Sequence, residues 1–245
     1  MSEPKTPLTP RRVLAVVWPV VLAQAATAMT GVVDTAIMGR VGVVEDLAAV
    51  GIAAVIFSFV YWAFGFLRMS TTGLVAQSVG ADELPQARAY LVRALVAGGV
   101  FGTVLVVGAR PIEWLALGFF DAASGVEALV SEYVRARIWG APAALMGYAV
   151  TGWLLGTGQT RKLLAFQVVL NVANVGLDIW LAGVLEWGPA GIGAGTAVAE
   201  WISLGVGLWW VRDGLVQTAR LGDKTRLWAL FAANRDILIR TMALV

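Results

Sequence analysis

The stretch Gln167-Val168-Val169-Leu170-Asn171-Val172-Ala173-Asn174-Val175-Gly176-Leu177-Asp178 decides the fold, because it lies inside an otherwise apolar run from 163 to 184. At about 1.5 Å of rise per residue, a helical run of that length crosses a hydrocarbon core of about 30 Å. Its polar residues Gln167, Asn171, Asn174 and Asp178 recur at intervals of four, three and four, which places all of them on one helix face. An Asp at mid-bilayer costs on the order of 2.5–3.5 kcal/mol on insertion scales, so that face points at a cavity or a partner. The bland alternative is that such Asn and Gln residues only bond helix to helix, worth about 0.6 kcal/mol each.

Two further apolar runs carry the same kind of stripe. Residues 190–211 place Thr196, Glu200 and Ser203 on one face, and residues 13–38 place Gln24, Thr27, Gly31 and Asp34 on a slightly broader arc. Three helices thus offer polar faces to a common interior, lined by Gln24, Thr27, Gln167 and Asn171. Depth supports a shared level for the carboxylates. Asp34 lies about 33 Å along its helix from Arg12, and Asp178 about 24 Å from Lys162, both in the half far from the N-terminal side. Glu200 lies about 16 Å and Thr196 about 10 Å from the opposite end, counted from Pro189. Counting alone also allows Asp34, five residues before Gly39, simply to reach headgroups.

The rest of the chain fits the same reading. Of 245 residues, 59% are apolar and 14% charged, against roughly 45–50% and about 25% in soluble domains. The fold class is an all-α polytopic transmembrane bundle of six complete spans plus the start of a seventh. We place a cytoplasmic tail at 1–12, a six-helix transmembrane lobe at 13–211, a cytoplasmic linker at 212–226 and a breaking-off seventh helix at 227–245. Within the lobe the spans fall at 13–38, 47–80, 90–108, 138–156, 163–184 and 190–211. Arg93 snorkels from the third, and 111–137 forms an interfacial connector. Pro19 sits inside the first span, where it removes one backbone hydrogen bond and marks a hinge candidate.

Charge bias sets the orientation. With the N-terminus inside, inner segments hold twelve basic residues: Lys5, Arg11, Arg12, Arg88, Arg93, Arg161, Lys162, Arg212, Arg220, Lys224, Arg226 and Arg235. Outer segments hold four, Arg40, Arg110, Arg135 and Arg137, while Arg68 and Arg240 lie in or beside apolar stretches. A multi-pass protein of the inner (plasma) membrane with a cytoplasmic N-terminus follows.

Several function classes drop out. The chain has no Cys and no His, which removes disulfides, thiolate and imidazole chemistry and most zinc sites. Proton chemistry therefore falls to carboxylates. A net charge of +2 is far from the basic face that nucleic acids need. The glycines of Gly191-Ile192-Gly193-Ala194-Gly195 follow no strand and read as close helix packing, not nucleotide binding. No catalytic constellation is recognisable, so an enzyme is not expected, nor any cofactor.

The residues also resemble a known family. The motifs are Gly31-Val32-Val33-Asp34-Thr35-Ala36-Ile37-Met38-Gly39-Arg40 followed by Leu47-Ala48-Ala49-Val50-Gly51, then Gly73-Leu74-Val75-Ala76-Gln77, and Gly156-Thr157-Gly158-Gln159-Thr160-Arg161. Together with 171–178 and 191–196 they resemble the multidrug and toxic compound extrusion (MATE) transporters, in the branch named after DNA-damage-inducible protein F. The resemblance implies a twelve-helix antiporter of two six-helix lobes, exporting amphipathic, often cationic compounds against H+ or Na+. By position it implies a cation-coupling cluster of Asp34, Asn174, Asp178 and Thr196, with Pro19 where some members bend the first helix. Glu200 is a secondary relay candidate. No metal is implied beyond Na+ at the coupling cluster. Only the first lobe is present, so the expected partners are the bilayer, the substrate and a C-terminal lobe or second copy, without which the chain is expected to be inactive. A flippase of lipid-linked precursors shares the architecture, but its cavity should be lined with Arg or Lys, and the polar faces identified above carry none.

Overall fold

The computed structural model describes residues 10–118 and 124–215. The linker beyond Leu215 and the seventh helix at 227–245 lie outside the described residues, as do residues 1–9 of the tail. Nine α-helices are described: α1 Pro10–Val41, α2 Val44–Ala63, α3 Gly65–Gly80, α4 Leu84–Val107, α5 Ala109–Leu117, α6 Ser124–Arg137, α7 Ala141–Gly156, α8 Thr160–Asp178 and α9 Gly188–Leu215. They assemble into six stretches long and apolar enough to cross a membrane, among them Val44–Gly80 and Gly125–Gly156. The outward faces carry the exposed apolar side chains that lipid requires, including Val32, Phe59, Val104 and Val172.

Three expectations change. The segment 111–137 is not an interfacial connector throughout. Only α5 fits that description; α6 continues through a 3-10 turn, Ile138–Gly140, into α7, so the fourth span starts near Gly125. The charges of α6 hid this, yet its Val130, Tyr133 and Val134 are core residues. Second, the long second span is broken at Phe64, where Phe64 N–H donates to the Tyr61 carbonyl at 3.1 Å and α3 restarts. Third, Arg93 does not snorkel: it is buried within α4, its guanidinium 6.0 Å from the Tyr90 ring. At the boundaries, the helix of the first span already includes residues 10–12 of the expected tail, and α9 runs through 212–215 of the expected linker.

Small residues set the helix spacing. A Cβ on Gly102 of α4 would run into Pro142 of α7, and one on Gly98 would come within 2.7 Å of the Leu145 carbonyl oxygen. On α9, a Cβ at Gly193 would lie 2.6 Å from the Tyr133 carbonyl of α6, and one at Gly195 would overlap Asp178 Oδ1 of α8. The glycine run at the start of α9 is thus a packing surface, and it seats α9 against α8 and α6 together. Directly after Asp178 the backbone widens into a π-helical turn, Ile179–Val184, closed by Leu185 N–H to the Trp180 carbonyl at 2.9 Å. Such turns are concentrated at functional positions of helices.

Candidate functional site

The polar faces of α1, α8 and α9 meet. Asn174 Nδ2 donates to Asp178 Oδ2 at 2.9 Å and to Thr196 Oγ1 at 3.0 Å. The Thr196 hydroxyl lies 2.9 Å from the Ile192 carbonyl oxygen and 3.5 Å from Asp34 Oδ2. All four side chains are buried, with Asn174 and Asp178 fully enclosed and Asp34 only 3% exposed. Asp34 therefore does not reach toward headgroups. Among the described residues, one oxygen on each of Asp34, Asp178 and Asn174 receives no hydrogen bond from an N–H or hydroxyl group, and the Asp34 and Asp178 carboxyls lie within hydrogen-bonding reach of each other. Buried acceptors without donors are costly, so three such oxygens on side chains joined by hydrogen bonds are chemically fitted to receive a proton or a small cation.

Asp34 and Thr196 also form part of the wall of a cavity of about 460 Å³; Asn174 and Asp178 sit behind them. Thr27, Gln167 and Glu200 line the same cavity. Two expected lining residues do not. Asn171 donates to the Ala26 carbonyl at 2.9 Å and accepts from Thr30 Oγ1 at 2.7 Å, so it ties α8 to α1 as an inter-helix bond. Gln24 is exposed and accepts from Arg68 Nη1 at 3.2 Å. The broad arc of the α1 stripe explains the miss, since Gln24 sits at its edge. Pro19 lies inside the continuous α1, and its ring is buried.

Two arginines complete the wall and were not read as site residues. Arg137 Nη2 lies 3.3 Å from Glu200 Oε1, and both side chains are about nine-tenths buried. Its guanidinium stands over the rings of Phe57 at 5.0 Å and Tyr61 at 5.8 Å, within cation–π range. Glu200 is one helical turn from Thr196, so the ion pair is the next layer beside the acidic cluster. Arg68, on α3 just past the helix break, is the second. The polar faces of α1, α8 and α9 do carry no Arg or Lys, but α3 and α6 bring two arginines to the cavity, so the argument against anionic head groups fails. The available signal was Glu200 itself: an intramembrane carboxylate calls for a basic partner, and Arg137 stands at the edge of the fourth apolar run.

Comparison with known proteins agrees with this architecture. The family model described as MatE matches residues 19–180. The chain is 35% identical over 236 residues to DNA damage-inducible protein F of Escherichia coli (strain K12), covering 92% of this chain and 50% of that protein. It is 27% identical over 211 residues to multidrug resistance protein MdtK of Klebsiella pneumoniae, covering 82% and 45%. The solved structure of a MATE in the bent conformation superposes with a TM-score of 0.81 at 20% identity, over 93% of this chain and 53% of that one. A MOP superfamily transporter from Pyrococcus furiosus, reported with a binding pocket of reversed polarity, superposes with a TM-score of 0.73 at 21% identity, over 85% and 46%. The chain spans about half the length of the curated relatives it matches.

Proposed function

Because the chain belongs to the MatE family of transporters, we propose that it forms the N-terminal six-helix lobe of a secondary active exporter, which exchanges amphipathic or cationic compounds for H+ or Na+. The observation that carries this reading is the set of donor-less buried oxygens on Asp34, Asn174 and Asp178 beside a cavity whose wall includes Asp34. The coupling cation binds at Asp34 and Asp178; Asn174 and Thr196 hold those carboxylates in place. Glu200 acts as a secondary relay one turn away. Pro19 serves as the hinge of α1, since its ring leaves one carbonyl of the first helix free. No catalytic step and no cofactor enter. The second wall of the pathway comes from a C-terminal lobe or a second copy, and the chain alone does not transport.

In antiport, cation and substrate exclude one another. Binding of the fluorescent cation ethidium to the purified chain in nanodiscs is expected to weaken by about tenfold as Na+ rises or pH falls, and the ion that displaces it is the coupling ion. Ethidium binding indifferent to both ions would refute the reading.

A flippase of lipid-linked precursors is the second reading, favoured by Arg68 and Arg137 in the cavity wall. Amphipathic export ranks first because Arg137 is already neutralised by Glu200.

The lobe sits in the inner membrane with its N-terminus in the cytoplasm. Removing the buried Arg93 and Arg137 from the loop counts leaves eleven inner and three outer basic residues, so the bias persists. The chain has no cysteine to interfere with labelling. An impermeant thiol reagent on intact cells is expected to label Val43→Cys and to spare Ala81→Cys; the reverse pattern would invert the topology.

A further inference from the structure

The cavity is charged at both ends. Asp34 marks one end; the other is marked by Arg68, hydrogen-bonded to Gln24. Gln24 and Asp34 are ten residues apart on the unbroken α1, which separates the two ends by about 15 Å. The remaining charges on the wall are spent. Arg137 pairs with Glu200 and covers the faces of Phe57 and Tyr61, so the features best suited to hold an organic cation at mid-cavity already hold a resident one. Arg68 is different: its hydrogen bond goes to a neutral amide, and among the described residues it forms no ion pair. An arginine in the middle of the span Val44–Gly80 without a counter-charge marks a functional position whose partner is yet to arrive. Trp62, Tyr148 and Phe166 line the same cavity and give it aromatic surface for a flat body. The volume of about 460 Å³ is that of a site for a drug-sized molecule.

We propose that Arg68 is the acid-binding subsite of this cavity, and that the preferred substrates are elongated amphipathic zwitterions. Their cationic group faces Asp34, their aromatic body lies along the wall, and their carboxylate engages Arg68. This deepens the antiport reading and rests on it in one respect: the cationic end competes with the coupling ion at Asp34. The carboxylate end is independent of that competition, because the subsite lies about 15 Å away and is read at equilibrium. Guanidinium is suited to the role, since its planar fork matches a carboxylate.

The test uses 4′-(trimethylammonio)stilbene-4-carboxylate, a rod-shaped fluorescent zwitterion with its two charges at opposite ends, and its ethyl ester, which keeps the cation and loses the acid. Binding of each to the purified chain in phosphatidylcholine nanodiscs is followed by fluorescence anisotropy. The acid is expected to bind about tenfold more tightly than the ester, a discrimination of the size given by one charge-assisted contact. Arg68→Gln should erase the difference, and Arg68→Lys should keep most of it. Gln24→Glu, which supplies a carboxylate to Arg68 from an exposed position, should erase it without removing the arginine. Asp34→Asn should weaken both compounds alike and leave their ratio unchanged, so a failure of the coupling reading would show there and not in the ratio.

Equal binding of acid and ester by the native chain overturns the proposal, as does a preference that survives both Arg68→Gln and Gln24→Glu. The bilayer itself is the other source of an oxyanion. In nanodiscs containing phosphatidylglycerol, the surface potential alone lowers binding of the acid relative to the ester by about threefold. A larger fall would assign Arg68 to lipid headgroups and overturn the proposal as well.

Discussion

Asp34→Asn and Asp178→Asn, each introduced into a two-lobed transporter containing this chain, are expected to reduce gradient-driven efflux to background, a loss of about a hundredfold or more, with expression intact. Expression should survive because Asn reproduces the shape and most of the hydrogen bonding of Asp. Asn174 Nδ2 can still donate to an amide oxygen at position 178, and the Thr196 hydroxyl can still face one at position 34. What Asn cannot do is exchange a proton or supply net charge to Na+. On the proposed reading, two buried carboxylates joined through Asn174 and Thr196 share one counter-ion, so removing either empties the whole site. The double variant is therefore expected to be no worse than either single one, the non-additivity of residues that act as a unit. Efflux is measured in vesicles under an imposed pH or Na+ gradient. Near-normal efflux by Asp34→Asn would remove the first-helix carboxylate from coupling; full additivity in the double variant would split the pair into two independent sites.

The meeting of the three polar stripes was legible because it is written in short-range periodicity, while the choice of Asp34, Asn174, Asp178 and Thr196 out of those stripes came from the family resemblance. Asn174 and Asp178 are one turn apart on a single helix, and depth counted from opposite ends put Thr196 of another helix near the same level. Helical rise is nearly constant, so residue counting works as a ruler inside a membrane. The bundle was legible for the same reason, as apolar runs of spanning length. What periodicity could not supply was pairing between distant segments. Arg137 reads as a loop residue until Glu200, sixty-three positions later, is found beside it. The connector reading failed with it, since a charged helix face looks solvated unless its buried partner is known. Asn171 shows the converse. It belongs to the same stripe as Asp178, yet its amide goes to the Ala26 carbonyl, because the neighbour facing that part of α8 is the α1 backbone. A stripe identifies the face, whereas the opposing helix decides whether each residue is tether or cavity wall. The break at Phe64 was hidden for a third reason: Val44–Gly80 keeps apolar character through the joint, and hydropathy carries no record of a helix that stops and restarts.

The ion pair leads to the second large effect. Glu200→Gln is expected to cost about 3–5 kcal/mol of stability, because it leaves a buried guanidinium without its counter-charge. Set against a total stability of about 5–15 kcal/mol, that is a large share, and the yield of monodisperse protein should fall accordingly. Arg137→Gln should cost a similar amount for the reciprocal reason, stranding Glu200, whose Oε2 already has no donor. The double variant Glu200→Gln/Arg137→Gln removes both charges and is expected to recover to within about 1 kcal/mol of the native chain, since burying a neutral pair avoids most of the desolvation cost. Recovery should be incomplete because the cation–π contacts of Arg137 with Phe57 and Tyr61 are lost with the guanidinium. The readouts are apparent melting midpoint and the fraction surviving detergent extraction as a single species. Transport is then normalised to folded protein, and on that scale Glu200→Gln is expected to slow efflux without abolishing it, the outcome that its proposed role as a relay beside the coupling site requires. A Glu200→Gln chain as stable as the native one would mean that Arg137 finds another counter-charge, and the nearest buried carboxylates for it to find are Asp34 and Asp178. In that case the same variant should lose coupling altogether, because a tethered cation would then occupy the site that H+ or Na+ must enter.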